Sequence, residues 1–272
     1  MWAFSCGVVS SGAAARTAWL TGAVGLLLTG PLVCGTSQAV NDWFDRHVDA
    51  INEPGRPIPS GRIPGRWGLW LALAGTALSL LVAATLGAWG FAATSVALVL
   101  AWAYSAPPFR LKQNGWWGNL AVGLSYEGLA WVTGASLLLG SQAPPAAVML
   151  VALLYSLGAH GIMTLNDFKS IDGDTRMGIR SLPVQLGAER AAWVACVVML
   201  VPQVIVAALL ASWHHAIAAA FVSAMVLVQL PLMRRLLTSP RELAPWYNAT
   251  GITVYVSGMM AAAMAFRAGY GA

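Results

Sequence analysis

The sequence predicts an all-α polytopic membrane protein of about nine transmembrane helices, and three observations carry that expectation. Apolar residues make up 58% of the 272-residue chain and charged residues only 9%, with a mean hydropathy of +0.68; average soluble chains carry about 25% charged residues. Apolar runs recur along the whole chain at close to the ~20 residues a helix needs to cross the hydrocarbon core. Finally, Lys and Arg fall on alternate connecting segments, a pattern that a wrong count of spans would scramble.

The first run, residues 1–15, opens MWAFSCGVVSSG with no basic segment before it, so it does not begin like a cleaved signal peptide. The second, 18–40, leads into the polar stretch NDWFDRHVDAINEPGRPIPSGRIP, Asn41 to Pro64. Runs 67–87 and 89–106 follow; Pro107 and Pro108 end the latter, because proline can neither donate to a helix nor fit its interior. Beyond them lie Phe109, Arg110, Lys112 and the interfacial pair Trp116–Trp117. Runs 119–139 and 145–165 lead to a second polar stretch, NDFKSIDGDTRMGIRSLPVQLG, Asn166 to Gly187. Runs 190–211, 213–233 and 248–268 complete a single domain over residues 1–272. Glycine is abundant inside the runs, where close helix packing is reason enough. Cys6, Cys34 and Cys196 all lie in apolar runs and are odd in number, which fits buried thiols and neither a disulfide framework nor a zinc site.

Of the 15 Lys and Arg residues, 13 follow even-numbered runs and only Arg16 and Arg267 fall on the other side. The positive-inside rule therefore puts the even loops and the N-terminus in the cytoplasm and the C-terminus outside. This topology accounts for the net charge of +5 without any nucleic-acid partner. Nine of the ten acids lie on the same side, Glu127 inside the fifth run being the exception. The chemistry is expected at one membrane face.

The two polar stretches read as one motif used twice. With Asn41-Asp42 set on Asn166-Asp167, Asp45 falls opposite Ser170 and Asp49 opposite Asp174. Arg56-Pro57-Ile58-Pro59 then answers Arg180-Ser181-Leu182-Pro183 after a one-residue gap. This points to two pseudo-repeats, about 1–118 and 119–272, with a site between them. Glu53 has no equivalent in the second stretch and is left out of the expected site.

Asp42, Asp45 and Asp49 share a helix face at spacings i, i+3 and i+7, repeated by Asp167, Ser170 and Asp174. Asp172 is off that face unless Gly173 breaks the helix. Carboxylates converging from two helix ends repel one another unless a cation compensates. An all-oxygen donor set suits Mg²⁺, which keeps waters and bridges a few carboxylates to substrate phosphates. Asp42, Asp45, Asp49, Asp167, Asp172 and Asp174 are thus the expected metal ligands, and Arg56, Arg62, Lys169 and Arg180 the phosphate partners. Arg62 and Arg66 serve equally well as topology determinants. A metal and phosphate site under an apolar bundle suits a lipid diphosphate: metal neutralises the leaving diphosphate, and the protein positions the reactants and excludes water.

NDWFDRHVD fits the NDxxDxxxD signature of the UbiA-type intramembrane prenyltransferases, which the chain resembles over essentially its whole length. Longer blocks, including YSAPPFRLKQNGWWGNLAVGLSYEGLAW, are similar to the chlorophyll-synthase branch of that family. The resemblance implies nine helices around a lipid-open cavity in the bacterial inner membrane. It also implies Mg²⁺-dependent transfer of a phytyl or geranylgeranyl group from its diphosphate to the propionate of bacteriochlorophyllide. Asn41, Asp42, Asp45 and Asp49 would hold metal and diphosphate together with Asp167 and Asp174, and Asn166, Arg110 and Lys112 would complete the substrate site. Many members have Asp where this chain has Ser170, so Asp167 or Asp172 must supply that charge. A propionate is already a nucleophile at neutral pH, so no strong general base is expected.

Other residues carry two readings. Glu127 is an intramembrane acid, either a pigment or cavity contact or a helix–helix contact beside an aqueous pocket. His160 either packs or ligates the chlorin metal, and packing is the ordinary reading. Tyr104 is placed to shield an allylic cation. His47 reads as an exposed neighbour, and His214 and His215 as inert. Three rival functions remain: prenylation of an aromatic quinone-pathway acceptor, cation transport, and pigment binding without catalysis. Transport calls for ionisable groups near mid-bilayer, whereas these acids sit at helix ends.

Overall fold

The computed structural model describes residues 1–12 and 15–269, of which 15–18, 52, 268 and 269 are described by backbone alone; the side chain of Arg16 lies outside the described residues. All regular structure among these residues is helical apart from one isolated bridge. In order the helices are α1 (Trp2–Ser10), α2 (Ala15–Leu27), α3 (Val33–Asn52), α4 (Trp67–Ala84), α5 (Ala88–Ser105), α6 (Gly115–Gly123) and α7 (Ala130–Ser136). They continue as α8 (Ala146–Asn166), α9 (Ile171–Met177), α10 (Leu182–Leu186), α11 (Ala188–Ser212), α12 (Ala216–Leu236) and α13 (Pro240–Gly269).

Helix falls on each of the nine predicted runs. Among the described residues, seven helices are long and apolar enough to cross a membrane. The other two runs show why the sequence count is larger. The first becomes the nine-residue α1, and the fifth is split into α6 and α7 by a π-helical segment, Leu124–Leu129, around Glu127. A second π segment, Leu28–Leu32, joins α2 to α3 at Pro31, whose missing N–H cannot continue an α-helical ladder.

The helices close into a bundle. α3 packs on α4 and α5, α8 on α6 and α11, α12 on α11 and α13, and α1 on α7 and α13. The first helix thus rests against the last. The α1–α7 contact requires glycine on both sides: a Cβ on Gly7 would lie 2.1 Å from the Trp131 carbonyl, and one on Gly134 2.2 Å from that of Phe4.

Buried aromatic residues fill the centre. Trp131 stacks on Tyr155 with centroids 5.9 Å apart, and Tyr255 meets Tyr155 edge-on at 5.3 Å. Their polar tips are used, Trp131 donating to Ser10 Oγ at 3.1 Å and Tyr255 to the Tyr155 carbonyl at 2.7 Å. Between α11 and α12 the buried Gln203 and Gln229 exchange amide hydrogen bonds of 2.8 and 3.2 Å. Long apolar side chains such as Trp19, Trp193 and Leu81 face outward, as a lipid-facing surface allows.

Candidate active site

Two helix ends bring the acidic stretches to one region. α3 runs through to Asn52, so Asp42, Asp45 and Asp49 do share a face. The loop after α3 folds Arg56 back over it. Nη1 of Arg56 donates to Asp42 Oδ1 at 3.0 Å and to Asp49 Oδ2 at 3.2 Å, while Nε donates to Glu53 Oε2 at 2.6 Å. Glu53 thus enters the site as the group that orients Arg56, correcting its exclusion on sequence grounds. Comparing the two loops hides it; the i, i+3 spacing of Glu53 and Arg56 was the available signal. The Glu53 hydrogen bond, with Asp49 and Asp42 beside it, raises the Arg56 guanidinium above its ordinary pKa.

Asp45 turns the other way, toward the loop that follows α5. Lys112 Nζ donates to Asp45 Oδ2, and Arg110 Nη2 lies 3.7 Å from Oδ1. Arg110 takes a left-handed backbone, φ 39°, a turn that places both cations over α3. Burial lowers the Lys112 pKa, and the bond to Asp45 opposes that shift. Asn41 donates to Ser105 Oγ at 3.2 Å and so ties α3 to α5.

In the second stretch, α8 ends at Asn166 and a short 3₁₀ turn carries Asp167 to Ser170. Asp167 Oδ2 accepts from Asn119 Nδ2 at 3.0 Å; the same Nδ2 lies 3.3 Å from Thr164 Oγ1. Ser170 Oγ sits between the Asp167 carbonyl, at 3.0 Å, and Asp174 Oδ2, at 3.1 Å. Ser170 therefore links the two acids where the family pattern has a third. Asn119 was missed in the sequence because it lies in an apolar run with no motif around it. Only its position opposite α8 reveals it.

The halves meet through the residues between them. Tyr104, near the end of α5, is within electrostatic range of Asp45, Asp167 and Asp174 together. An isolated parallel bridge pairs Asn114 with Arg180, Gly115 N donating to the Arg180 carbonyl at 2.8 Å and Arg180 N to the Gln113 carbonyl at 3.0 Å. Gly115 is required there, since a Cβ would lie 2.5 Å from Leu182 N.

Several expected residues stand apart. Asp172 is exposed and paired with Arg241 at 2.6 Å, because α9 continues through Gly173 and keeps Asp172 off the inner face. Lys169 and the Arg180 side chain are exposed and form no ion pair among the described residues; Arg180 contributes its backbone. Asn166 is half-buried. His160 is packed: Nε2 bonds the Trp116 carbonyl at 3.2 Å and the ring lies 5.7 Å from that of Trp116.

Below the acids lies an apolar cavity of about 420 Å³, in the range of small-ligand pockets. Asn41 and Tyr104 line its end beside the acids, and Ser37, Cys34, Ala97, Ala101, Tyr126, Glu127 and Met163 are among its walls. The small side chains of α5 leave room for a bulky apolar guest. Glu127, the acid of the fifth run, is thus a cavity residue.

Among the described residues no three acids, histidines or cysteines gather closely enough to enclose a metal by themselves. The donor set still fits a hard divalent ion. Oxygens of Asp42 and Asp49 both lie within 3.2 Å of one positively charged nitrogen, so they converge on a common cation position.

The chain matches the model of the UbiA prenyltransferase family over residues 1–266. It is 56% identical over 267 residues to the bacteriochlorophyll synthase 33 kDa chain of Cereibacter sphaeroides, covering 98% of this chain and 88% of that one. It is 45% identical over 269 residues to the bacteriochlorophyll synthase 34 kDa chain of Chloroflexus aurantiacus, covering 98% and 86%. A solved UbiA homolog from Archaeoglobus fulgidus, bound to GPP and Mg²⁺, superposes with a TM-score of 0.67 at 22% identity, covering 93% of this chain and 95% of that one.

Proposed function

Because this chain belongs to the UbiA prenyltransferase family, we propose that the paired acidic stretches bind a prenyl diphosphate with Mg²⁺ and that the cavity holds its chain and the acceptor. The chain is a prenyl-transferring enzyme of the membrane, and its similarity to bacteriochlorophyll synthases makes a chlorin its acceptor. The reaction is transfer of a phytyl or geranylgeranyl group from its diphosphate to the propionate carboxylate of bacteriochlorophyllide, a magnesium-bearing chlorin. One observation supports this reading most: Tyr104 lies within electrostatic range of acids of both stretches and also lines the apolar cavity, so diphosphate chemistry and chain binding share one boundary.

In balance, a propionate oxygen forms a bond to the allylic carbon, the bond from that carbon to the diphosphate oxygen breaks, and diphosphate leaves with the electron pair. Bound Mg²⁺ neutralises the charge that builds on the leaving diphosphate. Asp42, Asp45 and Asp49 on α3, with Asp167 and Asp174 after α8, hold that ion. Arg56, Arg110 and Lys112, now on carboxylates, are the cations in place to turn toward phosphate oxygens. Tyr104 presents its ring beside the allylic carbon. Asn41, bonded to Ser105, and the bridge at Arg180 keep the two stretches at a fixed separation. Apolar walls keep water from the cation. The loops carrying these residues lie on the cytoplasmic face of the bacterial inner membrane, as their excess of Lys and Arg supports.

The test incubates membranes carrying this protein with Mg²⁺, bacteriochlorophyllide and either prenyl diphosphate, and weighs the product by mass spectrometry. An ester of the chlorin is expected. Prenylation of hydroxybenzoate with none of bacteriochlorophyllide would overturn the assignment.

A further inference from the structure

Glu127 is a carboxylic acid in the fifth apolar run, on the wall of the cavity. It forms no ion pair and no hydrogen bond with any described residue, the Met1 amino group on the same cavity wall being within electrostatic range only, whereas every acid of the α3 stretch has a directly bonded or paired cation. An unpaired carboxyl in an apolar wall costs several kcal/mol unless a ligand compensates it. It also sits in the π-helical segment Leu124–Leu129, and single π turns inside α-helices are frequent where a side chain serves a ligand. Asn119, which holds Asp167, precedes it by eight residues, about 12 Å along a helix axis.

The geometry points to Glu127 as an axial oxygen ligand for the central metal of the tetrapyrrole acceptor, an inference that rests on a chlorin being the acceptor. Carboxylate oxygen is a hard donor suited to Mg²⁺, and the metal in turn supplies a directly bonded positive charge. His160, the other donor the sequence offers, is closed off. Its Nε2 is taken by the Trp116 carbonyl, its Nδ1 is buried without a hydrogen-bond partner, and it is not among the residues that line the cavity. The remaining polar groups on the cavity wall, among them Tyr126, Cys34 and Gln38, are neutral side chains and weaker partners for a hard cation.

The experiment titrates purified protein in nanodiscs with zinc bacteriochlorophyllide and with its metal-free counterpart, following the absorption bands that report axial ligation. Wild type is expected to bind the metal chelate roughly tenfold more tightly or better, with a ligation shift; Glu127→Leu loses both the shift and the preference. Glu127→Gln, nearly isosteric and keeping a neutral carbonyl oxygen, retains part of each and guards against simple misfolding. Affinity for geranylgeranyl diphosphate is expected to stay unchanged in both variants. A preference that survives in Glu127→Leu overturns the inference, as does a loss of prenyl diphosphate affinity, which would put Glu127 on the chain path. Wild type that esterifies bacteriochlorophyllide without preferring the metal chelate overturns this inference alone. Wild type that does not esterify it overturns the acceptor assignment as well.

Discussion

Asn119 Nδ2 lies 3.0 Å from Oδ2 of Asp167, joining α6 to the end of α8 at the second acidic stretch. Asn119 is 5% exposed, so water does not replace this bond. Asn119→Leu removes the donor and leaves Asp167 free to rotate away from the first stretch. Partners that orient metal-binding side chains typically contribute about 10–100-fold to metal affinity or activity. The expected result is a loss of that size in kcat, with the Mg²⁺ concentration at half-maximal rate raised and the thermal unfolding temperature close to wild type.

Arg56 Nη1 is shared between Asp42 and Asp49, and its Nε is held by Glu53. Arg56→Gln removes the charge that balances the acids and that is proposed to meet the diphosphate. The KM for prenyl diphosphate is expected to rise about tenfold or more, with the KM for the chlorin little changed. Glu53→Gln keeps the guanidinium but loosens it, and a smaller rise is expected. Steady-state kinetics with each substrate varied in turn reads both.

Asp45 and Asp49 sit on the face that meets the cations of two loops. Asp45→Ala and Asp49→Ala are each expected to abolish turnover while the protein remains in the membrane fraction. Removing divalent ions from wild type with a chelator has the same effect, and added Mg²⁺ restores the rate. Near-normal turnover in both variants, or in chelated wild type, would refute the metal role.

Gln203 and Gln229 exchange two amide bonds in the packed interior between α11 and α12. Side-chain hydrogen bonds between membrane helices average about 0.6 kcal/mol in double-mutant cycles and reach about 1.7 kcal/mol. Gln203→Leu and Gln229→Leu each leave the partner's buried amide oxygen without its donor, although its nitrogen keeps a backbone carbonyl of Met225 or Met199, so each single variant is expected to destabilise by more than the double variant. A cycle of unfolding measurements in detergent decides it, and strictly additive losses would count against a coupled pair.

Much of the site was written in the sequence, because the rules that decide it are local. Charge is too costly to scatter through a bilayer, so Asp42, Asp45, Asp49, Asp167 and Asp174 had to collect at helix ends, and their spacing fixed a common face. Asn119 and Glu53 were not legible. Asn119 contacts α8 across 45 or more residues of chain, and Glu53 has no evident task until Arg56 folds back onto it. Spacing put Asp172 off the shared face unless Gly173 broke the helix, and the continuation of α9 through Gly173 keeps it off. Composition and apolar runs by themselves determined a helical membrane protein, and charge alternation carries the expectation that its polar chemistry lies at one face. Tertiary structure decided which acid meets which cation, because each pairing joins segments whose distance depends on how the whole bundle closes.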